Sequence, residues 1–201
     1  MRKILYEALI LMLITFTAGL LLAYVHEITL LPIQQQELLT KQKAIQEVFE
    51  NADHFVEDNT IINRLQKQVA KEYDAVLIEH IFYAFDHNNH PLGYVLQIME
   101  KEGYGGDIVF LMGIQNNGTL NGISFLSLSE TAGLGMKADT DDFKQQFKGI
   151  RAETITYTKQ GAQSSNEIDA ISGATITTKA VTKGVNAGFY AYRYLLKEAA
   201  K

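Results

Sequence analysis

The chain has 201 residues, which is enough for one domain of ordinary size and a membrane or tail segment. Its formal net charge is −5 and no cluster of Lys and Arg stands out, so nucleic acid is not an expected partner. It contains no Cys, which excludes disulfides, iron–sulfur clusters, thiolate zinc and haem attached through Cys. Any redox chemistry must therefore come from an organic cofactor or a partner.

Residues 8–25 form an apolar run without a charged side chain. A helix crosses the hydrocarbon core of a membrane with about 20 residues, and apolar neighbours on both sides of the run extend it to that length. Arg2 and Lys3 precede the run, and no Lys or Arg follows until Lys41. The positive-inside rule then places the N-terminus in the cytoplasm and everything after Val25 on the other side of the membrane.

A cleaved signal peptide is the alternative interpretation of this segment. Such a peptide needs small residues at positions −3 and −1 of its cleavage site, and before Tyr24 these positions hold Leu21 and Ala23. Leu21 is not small, so the sequence favours an uncleaved single-pass anchor. We therefore assign residues 1–33 to an N-terminal tail and transmembrane helix.

Residues 34–73 are predicted to form a helical connector. The stretch 34–55 is polar with apolar residues at Leu38, Ile45, Val48, Phe49 and other positions three or four apart, which indicates an amphipathic helix. The stretch 60–73 is predicted to be a second short helix or a loop.

Strands dominate the middle of the chain. We expect them at 75–85, 94–99, 107–115, 120–128 and, more weakly, 155–158. Turns are expected at 86–93 and at the Asn-Asn-Gly string 116–118, because Asn and Gly tolerate positive φ angles. His87 and His90 lie in the first turn without an obvious third ligand, so no metal site is predicted. Central strands with helices at both ends predict an α+β domain over residues 74–201, with a mainly antiparallel sheet and flanking helices.

The stretch 169–178 is a run of small and hydroxylated residues directly before a helical pattern. The apolar or small positions of that pattern recur three and four residues apart, at Val181, Gly184, Val185, Gly188, Tyr192, Leu195, Leu196 and Ala199. Gly173 and Ala174 add no bulk, so the amide groups of the first turn are open to a ligand. An open helix N-terminus surrounded by hydroxyl groups is a candidate phosphate site. The alternative is that Ser172 only caps its helix.

Two glycine-rich stretches lie at the ends of predicted strands. One is Gly-Tyr-Gly-Gly at 103–106, and the other is Glu-Thr-Ala-Gly-Leu-Gly at 130–135. Glycine at the end of a strand usually indicates a turn. The second stretch departs from Gly-x-Gly-x-x-Gly and has no Lys-Ser/Thr pair, so a nucleoside-triphosphate loop is not supported.

The order of these landmarks resembles a family of FMN-binding proteins from two respiratory complexes. The family comprises the G subunit of the Rnf (Rsx) complex and the C subunit of the sodium-pumping NADH:quinone oxidoreductase. The resemblance covers residues 103–190 and the single N-terminal anchor, and it includes the Ser-Gly-Ala-Thr string at 172–175. Ala132 stands where the family usually has Pro, which should change the stiffness of the loop more than its chemistry.

The resemblance implies a covalent flavin. In the family the last Thr of the Ser-Gly-Ala-Thr string is esterified to the phosphate of FMN, and here that residue is Thr175. A separate flavin transferase with FAD as donor makes the ester, and Asp169 matches the pattern that this enzyme reads. The local sequence offers no His or Lys before Lys179 to activate the hydroxyl, so self-catalysed attachment is not expected.

Other residues are predicted to surround this flavin. The phosphate would be bound by the helix dipole and by a set of residues in the stretch 169–178, namely Ser172, Gly173, Ala174, Thr177 and Thr178. The isoalloxazine ring would be approached by the two glycine loops, through Tyr104, Gly105, Gly106, Glu130, Thr131, Gly133, Leu134 and Gly135. Backbone amides near the ring would set its redox potential.

By this resemblance the chain is expected to be an electron-carrier subunit of a membrane-bound, ion-translocating ferredoxin:NAD oxidoreductase of the Rnf type. Its short length favours this over the C subunit of the sodium-pumping quinone reductase, which stays open as an alternative. A membrane-tethered binding or assembly module without a redox role is a further alternative. No self-contained catalytic site beyond the flavin is expected.

The same resemblance predicts the setting. The partners would be other subunits of a hetero-oligomeric membrane complex, a flavin transferase during maturation, and the lipid bilayer. The location would be the cell (inner) membrane of a bacterium or archaeon, with the flavin domain on the extracytoplasmic side.

Overall fold

The computed structural model describes residues 2–199, and this part of the chain divides into two compact units. The first unit ends at Gln42 and the second begins at Lys43. This division falls inside the predicted connector 34–73. The predicted domain boundaries, at 33/34 and 73/74, remain predictions.

The first unit is helical. Helix α1 spans Arg2–Val48, and its most apolar stretch is long enough to cross a membrane and has no buried residue. The hydroxyl groups of Thr15, Thr17 and Thr29 donate to carbonyls three and four residues earlier, so these polar groups are satisfied within the helix. Pro32 lies inside the helix.

The second unit is built on a five-stranded antiparallel sheet in which every strand pairs with its neighbours in the chain. Its strands are β1 (His54–Glu57), β2 (Val76–Phe85), β3 (Pro91–Glu100), β4 (Ile108–Gln115) and β5 (Leu120–Leu128). The remaining elements are α2 (Ile62–Val69), α3 (Asp141–Lys144), a parallel pair β6 (Thr156–Thr158) and β7 (Glu167–Asp169), and α4 (Thr175–Ala199). Two 3-10 turns, Gly135–Asp139 and Gln145–Phe147, flank α3.

The predicted α+β class with a mainly antiparallel sheet is confirmed. The strands from β2 to β5 lie close to their predicted positions, although β3 begins at Pro91, where a missing N–H is tolerated at the first residue of a strand. The structure corrects the predicted amphipathic helix: it ends at Val48, and β1 occupies part of the remainder. The short strands β1 and β7 were not predicted, because four or three residues carry too little periodicity.

The core lies on both faces of the sheet. Neighbouring side chains of β3 such as Val95 and Leu96 belong to different core clusters, as the alternation of a strand requires. Helix α4 packs on the face of Leu96, where Gly184 brings the helix close to the ring of Phe110. The other face receives residues 44–52, including Val48.

The two glycine-rich stretches lie next to each other at one end of the strands. Glu100 at the end of β3 pairs with Ile108 at the start of β4, and Ile108 pairs with Leu128 at the end of β5. The 101–107 and 129–135 loops therefore leave the sheet side by side.

Candidate functional site

A cleft of about 500 Å³ lies where these two loops meet the start of α4. This volume is within the range of small-molecule sites. Ten residues from three separate segments line it: Tyr104, Glu130, Thr131, Leu134, Gly135, Gly173, Ala174, Thr175, Ile176 and Thr177. All except Ile176 are residues that the sequence pattern predicts for a cofactor site.

Helix α4 begins at Thr175 within the predicted string, earlier than the apolar pattern after residue 178 indicated. Ala174 is the N-cap, because its carbonyl accepts the N–H of Thr178 at 3.0 Å. Ser172 therefore is not the cap: it lies exposed two residues before the N-cap and outside the cleft.

An alanine N-cap leaves the helix start open. Its side chain has no oxygen to accept an N–H from the first turn, and the N–H groups of Thr175, Ile176 and Thr177 have no acceptor within the helix. These three residues line the cleft. The helix start can therefore offer backbone donors and a positive dipole end to an anion that enters the cleft.

Thr178, like Ser172, is a predicted phosphate ligand that lies outside the cleft lining. Its side chain is fully buried, its hydroxyl donates to the carbonyl of Ala174 at 3.0 Å, and the hydroxyl oxygen accepts the N–H of Ile171 at 3.0 Å. Both interactions hold the turn before α4 in shape. We therefore assign Thr178 to the support of this turn and not to a ligand.

Gly173 joins the motif to the second glycine loop. Its φ is +77°, a left-handed value that favours glycine. A Cβ atom at this position would lie 3.0 Å from Cδ2 of Leu134. The absence of a side chain lets Leu134 lie against the turn that precedes Thr175.

Glu130 connects the three segments of the cleft. Its Oε1 accepts the N–H of Tyr104 at 2.8 Å. A Cβ atom on Gly135 would lie 2.5 Å from Oε2 of Glu130 and 2.7 Å from Oγ1 of Thr177. Glu130 and Thr177 thus flank Gly135, and the carboxylate of Glu130 also holds the first glycine loop.

The remaining predicted residues shape the loops or lie outside the cleft. A Cβ atom on Gly105 would overlap the carbonyl oxygen of Ser129, so this glycine lets the two loops pack together. Gly106 and Gly133 have positive φ angles of 137° and 76°. Asp169 ends β7, where its Oδ1 accepts the N–H of Ala162 at 2.7 Å, and its predicted role in recognition by a transferase stays a prediction.

The rim of the cleft is apolar and exposed. Tyr104 is 70 % exposed, Ile176 is 51 % exposed and Leu134 is 42 % exposed. Ile176 is the lining residue that was not predicted from the sequence. It is an apolar residue beside the motif and outside the buried stripe of α4, and such a residue could have indicated a ligand site. A helix N-terminus beside apolar walls fits a ligand that combines a phosphate with an aromatic ring system, as FMN does.

No competing metal centre is present in the part of the chain that the structure describes. Residues 2–199 contain no group of three or more His, Asp or Glu side chains placed to hold a metal ion. In the 86–90 turn, Asp86 accepts the N–H groups of Asn88 and His90 at 2.8 Å, and its other oxygen lies 3.1 Å from Nδ1 of His90. These contacts stabilise the turn.

Comparison with known proteins agrees with this geometry. Residues 103–189 match a family model described as an FMN-binding domain. The chain is 33 % identical over 192 residues to the G subunit of the Na(+)-translocating ferredoxin:NAD(+) oxidoreductase complex of Acetobacterium woodii, with 94 % of this chain and 91 % of the relative covered. The chain belongs to the family of Rnf G subunits.

Other G subunits support the same assignment. That of the proton-translocating ferredoxin:NAD(+) oxidoreductase complex of Clostridium ljungdahlii is 33 % identical over 170 residues, which cover 85 % of this chain and 81 % of the relative. That of the ion-translocating oxidoreductase complex of Vibrio cholerae is 29 % identical over 175 residues, which cover 82 % of this chain and 78 % of the relative.

Solved structures support the fold of this member of the Rnf family. The C subunit of the Na(+)-translocating NADH-quinone reductase of Parabacteroides distasonis superposes with a TM-score of 0.55 at 16 % identity and covers 80 % of this chain and 94 % of its own. NqrC of Shewanella oneidensis superposes with a TM-score of 0.52 at 16 % identity, with 76 % and 88 % covered.

Proposed function

We propose that this chain is the electron-carrying subunit of a membrane-bound, ion-translocating ferredoxin:NAD oxidoreductase, and that it carries FMN as a phosphoester on Thr175. The names of the relatives and the FMN-binding family model support the first part. The observation that carries the second part is the position of Thr175. It is the first residue of a helix that lacks a side-chain cap, and it lies in a cleft with apolar walls.

Different residues of the cleft would bind the phosphate and the ring system of FMN. The backbone N–H groups of Thr175, Ile176 and Thr177 would bind the phosphate, and the helix dipole would favour its negative charge. Leu134, Ile176 and Tyr104 supply exposed apolar surface for the ring system. When bound, FMN supplies redox chemistry that the side chains of a protein without Cys do not.

A covalent bond suits a domain outside the cytoplasm, because a dissociated flavin would be lost by dilution there. A threonine hydroxyl is a weak nucleophile without an adjacent base, and the cleft lining contains no His or Lys. A flavin transferase would therefore make the ester. The oxygen of Thr175 would bond to the FMN phosphate of FAD, the pyrophosphate bond would break, and AMP and the hydroxyl proton would leave.

The proposed setting is a single-pass membrane protein with a cytoplasmic N-terminus. Helix α1 supports the anchor, since it is long and apolar enough to cross a membrane. Arg2 and Lys3 on one side, with no further Lys or Arg before Lys41, support the orientation. The partners would be the other subunits of the complex, the transferase and the bilayer.

Mass spectrometry tests the covalent bond. Intact protein made with a co-expressed flavin transferase should gain the mass of one FMN phosphoester, located on Thr175 by peptide mapping. Thr175→Ala should abolish the adduct and the flavin fluorescence in a denaturing gel, because the only oxygen available for the ester at that position is gone. Thr154→Ala, an exposed threonine outside the cleft, is the matched control and should label normally.

Two results would contradict the proposal. Flavin that remains bound to the denatured Thr175→Ala protein would place the ester elsewhere. A colourless native protein without any adduct would instead support a binding or assembly module. Co-purified iron–sulfur subunits that react with ferredoxin would separate the Rnf type from the quinone reductase.

A further inference from the structure

The end of β3 buries a carboxyl group in the core of the second unit. Glu100 is the last residue of β3 and has no solvent-exposed surface. Its Oε1 accepts the N–H of Glu102 at 3.1 Å, while Oε2 has no hydrogen-bond partner within residues 2–199. Burial without full hydrogen bonding disfavours the charged form of a carboxyl group.

The charges near Glu100 come from three segments. Lys183 of α4 lies 2.8 Å from Oε2 of Glu102 and 3.7 Å from Oδ1 of Asp74, so the two outer carboxylates hold this ammonium group. Burial raises the pKa of Glu100 to about 7. The N–H of Glu102 and the charge of Lys183 oppose this rise in pKa, and the negative charges of Glu102 and Asp74 add to it.

A proton is the ligand that this cluster fits. The cluster contains three carboxyl groups, but Lys183 already supplies the compensating cation. No group of acidic side chains in the described part of the chain is placed to hold a metal ion. The side chains of Glu102 and Asp74 are 54 % and 90 % exposed, so the neighbours of Glu100 are in contact with water.

Glu100 lies on the face of β3 that packs against α4, so its separation from the cleft can be measured along this helix. On this face of β3, the ring of Tyr94 lies 5.7 Å from that of Tyr192, and Ile98 lies beside Gly188 and Gly184. Glu100 is two residues further along the same face, toward the N-terminus of α4. With a rise of about 3.4 Å per strand residue and 1.5 Å per helix residue, it lies about 10 Å along the axis from Thr175.

We propose that Glu100 is a proton-binding site linked to the redox state of the cofactor in this cleft. The proposal rests on the proposed function. When a one-electron donor delivers an electron to the cleft, the domain gains one negative charge. A proton from the solvent then bonds to Oε2 of Glu100 and converts the carboxylate to a neutral carboxyl group, and the electron and the proton leave together on oxidation.

The size of the linkage follows from Coulomb's law. The spacing between the sheet and α4 adds to the displacement along the helix axis, so a charge in the cleft would lie about 10–15 Å from Glu100. At an effective dielectric constant of about 20, a unit charge at that distance shifts a pKa by on the order of one unit. Because the pKa of Glu100 is about 7, this shift changes the fraction of Glu100 that is protonated near neutral pH. A carboxyl group with an ordinary pKa would stay ionised in both redox states at neutral pH.

Redox titration tests the linkage. Full-length protein loaded with FMN by a co-expressed transferase is titrated with dithionite at several values from pH 5.5 to pH 9. The reduction equilibrium constant of the wild type, divided by that of Glu100→Gln, should fall about tenfold across this range, because only the ionised carboxylate opposes reduction. Glu50→Gln, an exposed carboxylate, is the matched control and should follow the wild type. A ratio that stays constant within about twofold would overturn the linkage.

The stability of the flavin-free chain tests the proton site independently. The folded pKa of Glu100 is raised above its usual value of 4.5, so its contribution to stability is present below 4.5 and is lost as pH rises through about 7. Relative to Glu100→Gln, the unfolding equilibrium constant of the wild type should rise about a hundredfold from pH 4.5 to pH 8. Parallel pH profiles would overturn the site.

The outcomes separate the two proposals. A chain that carries no flavin overturns the proposed function and the redox linkage, while the stability profile still decides whether Glu100 binds a proton. A flavin-loaded chain with a constant ratio overturns the linkage alone. If Glu100→Gln does not fold, Lys183→Met serves instead: it keeps Glu100, removes a charge that lowers its pKa, and should move both pH midpoints upward.

Discussion

Gly135 has a steric role in the cleft. Glu130 and Thr177 flank it so closely that no side chain fits between them. Glu130 also holds the backbone of Tyr104, so a displacement at Gly135 would reach all three segments that line the cleft. Ala174 also matters because its side chain is small and has no oxygen. A capping side chain at this position would accept a hydrogen bond from the backbone donors of the first turn.

Gly135→Ala should therefore damage the cleft and the fold together. The new Cβ atom would lie 2.5 Å from Oε2 and 2.8 Å from Cβ of Glu130, so the loop must shift. We expect the free energy of unfolding to fall by about 1–3 kcal/mol, as for other overpacked sites. Urea denaturation and the ratio of flavin to protein absorbance measure the two effects.

The control for this substitution is Gly19→Ala, because a Cβ atom at Gly19 meets nothing within 4 Å beyond the adjacent backbone of its own helix. It should leave both the stability of the second unit and the flavin content unchanged. A Gly135→Ala protein with wild-type stability and full flavin content would show that Glu130 and Thr177 are not held as described.

The last turns of α1 form part of the second unit. Glu47 accepts the hydroxyl of Ser124 at 2.6 Å and pairs with Lys144 at 2.9 Å. The carbonyl of Val48 accepts the side-chain amide of Asn121 at 2.5 Å. The end of the helix is thus held on the sheet by polar contacts at its rim and by apolar contacts beneath it.

Gly113 of β4 provides the space beneath this helix end. A Cβ atom on Gly113 would lie 2.6 Å from the carbonyl oxygen and 3.1 Å from Cβ of Val48. Gly113→Ala should therefore lower the free energy of unfolding of the second unit by about 1–3 kcal/mol. Ser127→Ala, on an exposed position of β5, should change it by less than about 0.5 kcal/mol. Equal urea midpoints for the two variants would contradict this account of α1.

At the scale of the whole molecule, the orientation in the membrane is open to a direct test. The chain has no Cys, so a single introduced Cys reports its own location against an unlabelled background. Asn88 lies in the exposed turn between β2 and β3, and Lys3 lies before the apolar run.

With an extracytoplasmic flavin domain, a membrane-impermeant maleimide should label Asn88→Cys in intact spheroplasts. Lys3→Cys should be labelled only after lysis, because the positive-inside rule keeps it in the cytoplasm. The opposite pattern would reverse the proposed orientation. The parent chain without Cys controls for non-specific labelling.

The sequence by itself determined much of this protein. Three local patterns can be recognised without knowledge of the fold: the length of the apolar run, the alternation of the four central strands and the helical spacing after residue 178. The order of the glycine loops and the Ser-Gly-Ala-Thr string identified the family and pointed to Thr175. Nine of the ten residues that line the cleft were predicted, eight from these strings and Thr177 from the hydroxylated residues that follow them.

Only the tertiary structure decided the rest. Whether Thr178 faces a ligand or a neighbouring turn depends on where α4 begins, and Ala174, not Ser172, is its N-cap. The burial of Glu100, the exposure of Ile176 and the pairing of β1 with β2 depend on contacts between distant parts of the chain. Such contacts fix the solvation of each side chain, and the solvation of a side chain sets its pKa and its availability to a ligand.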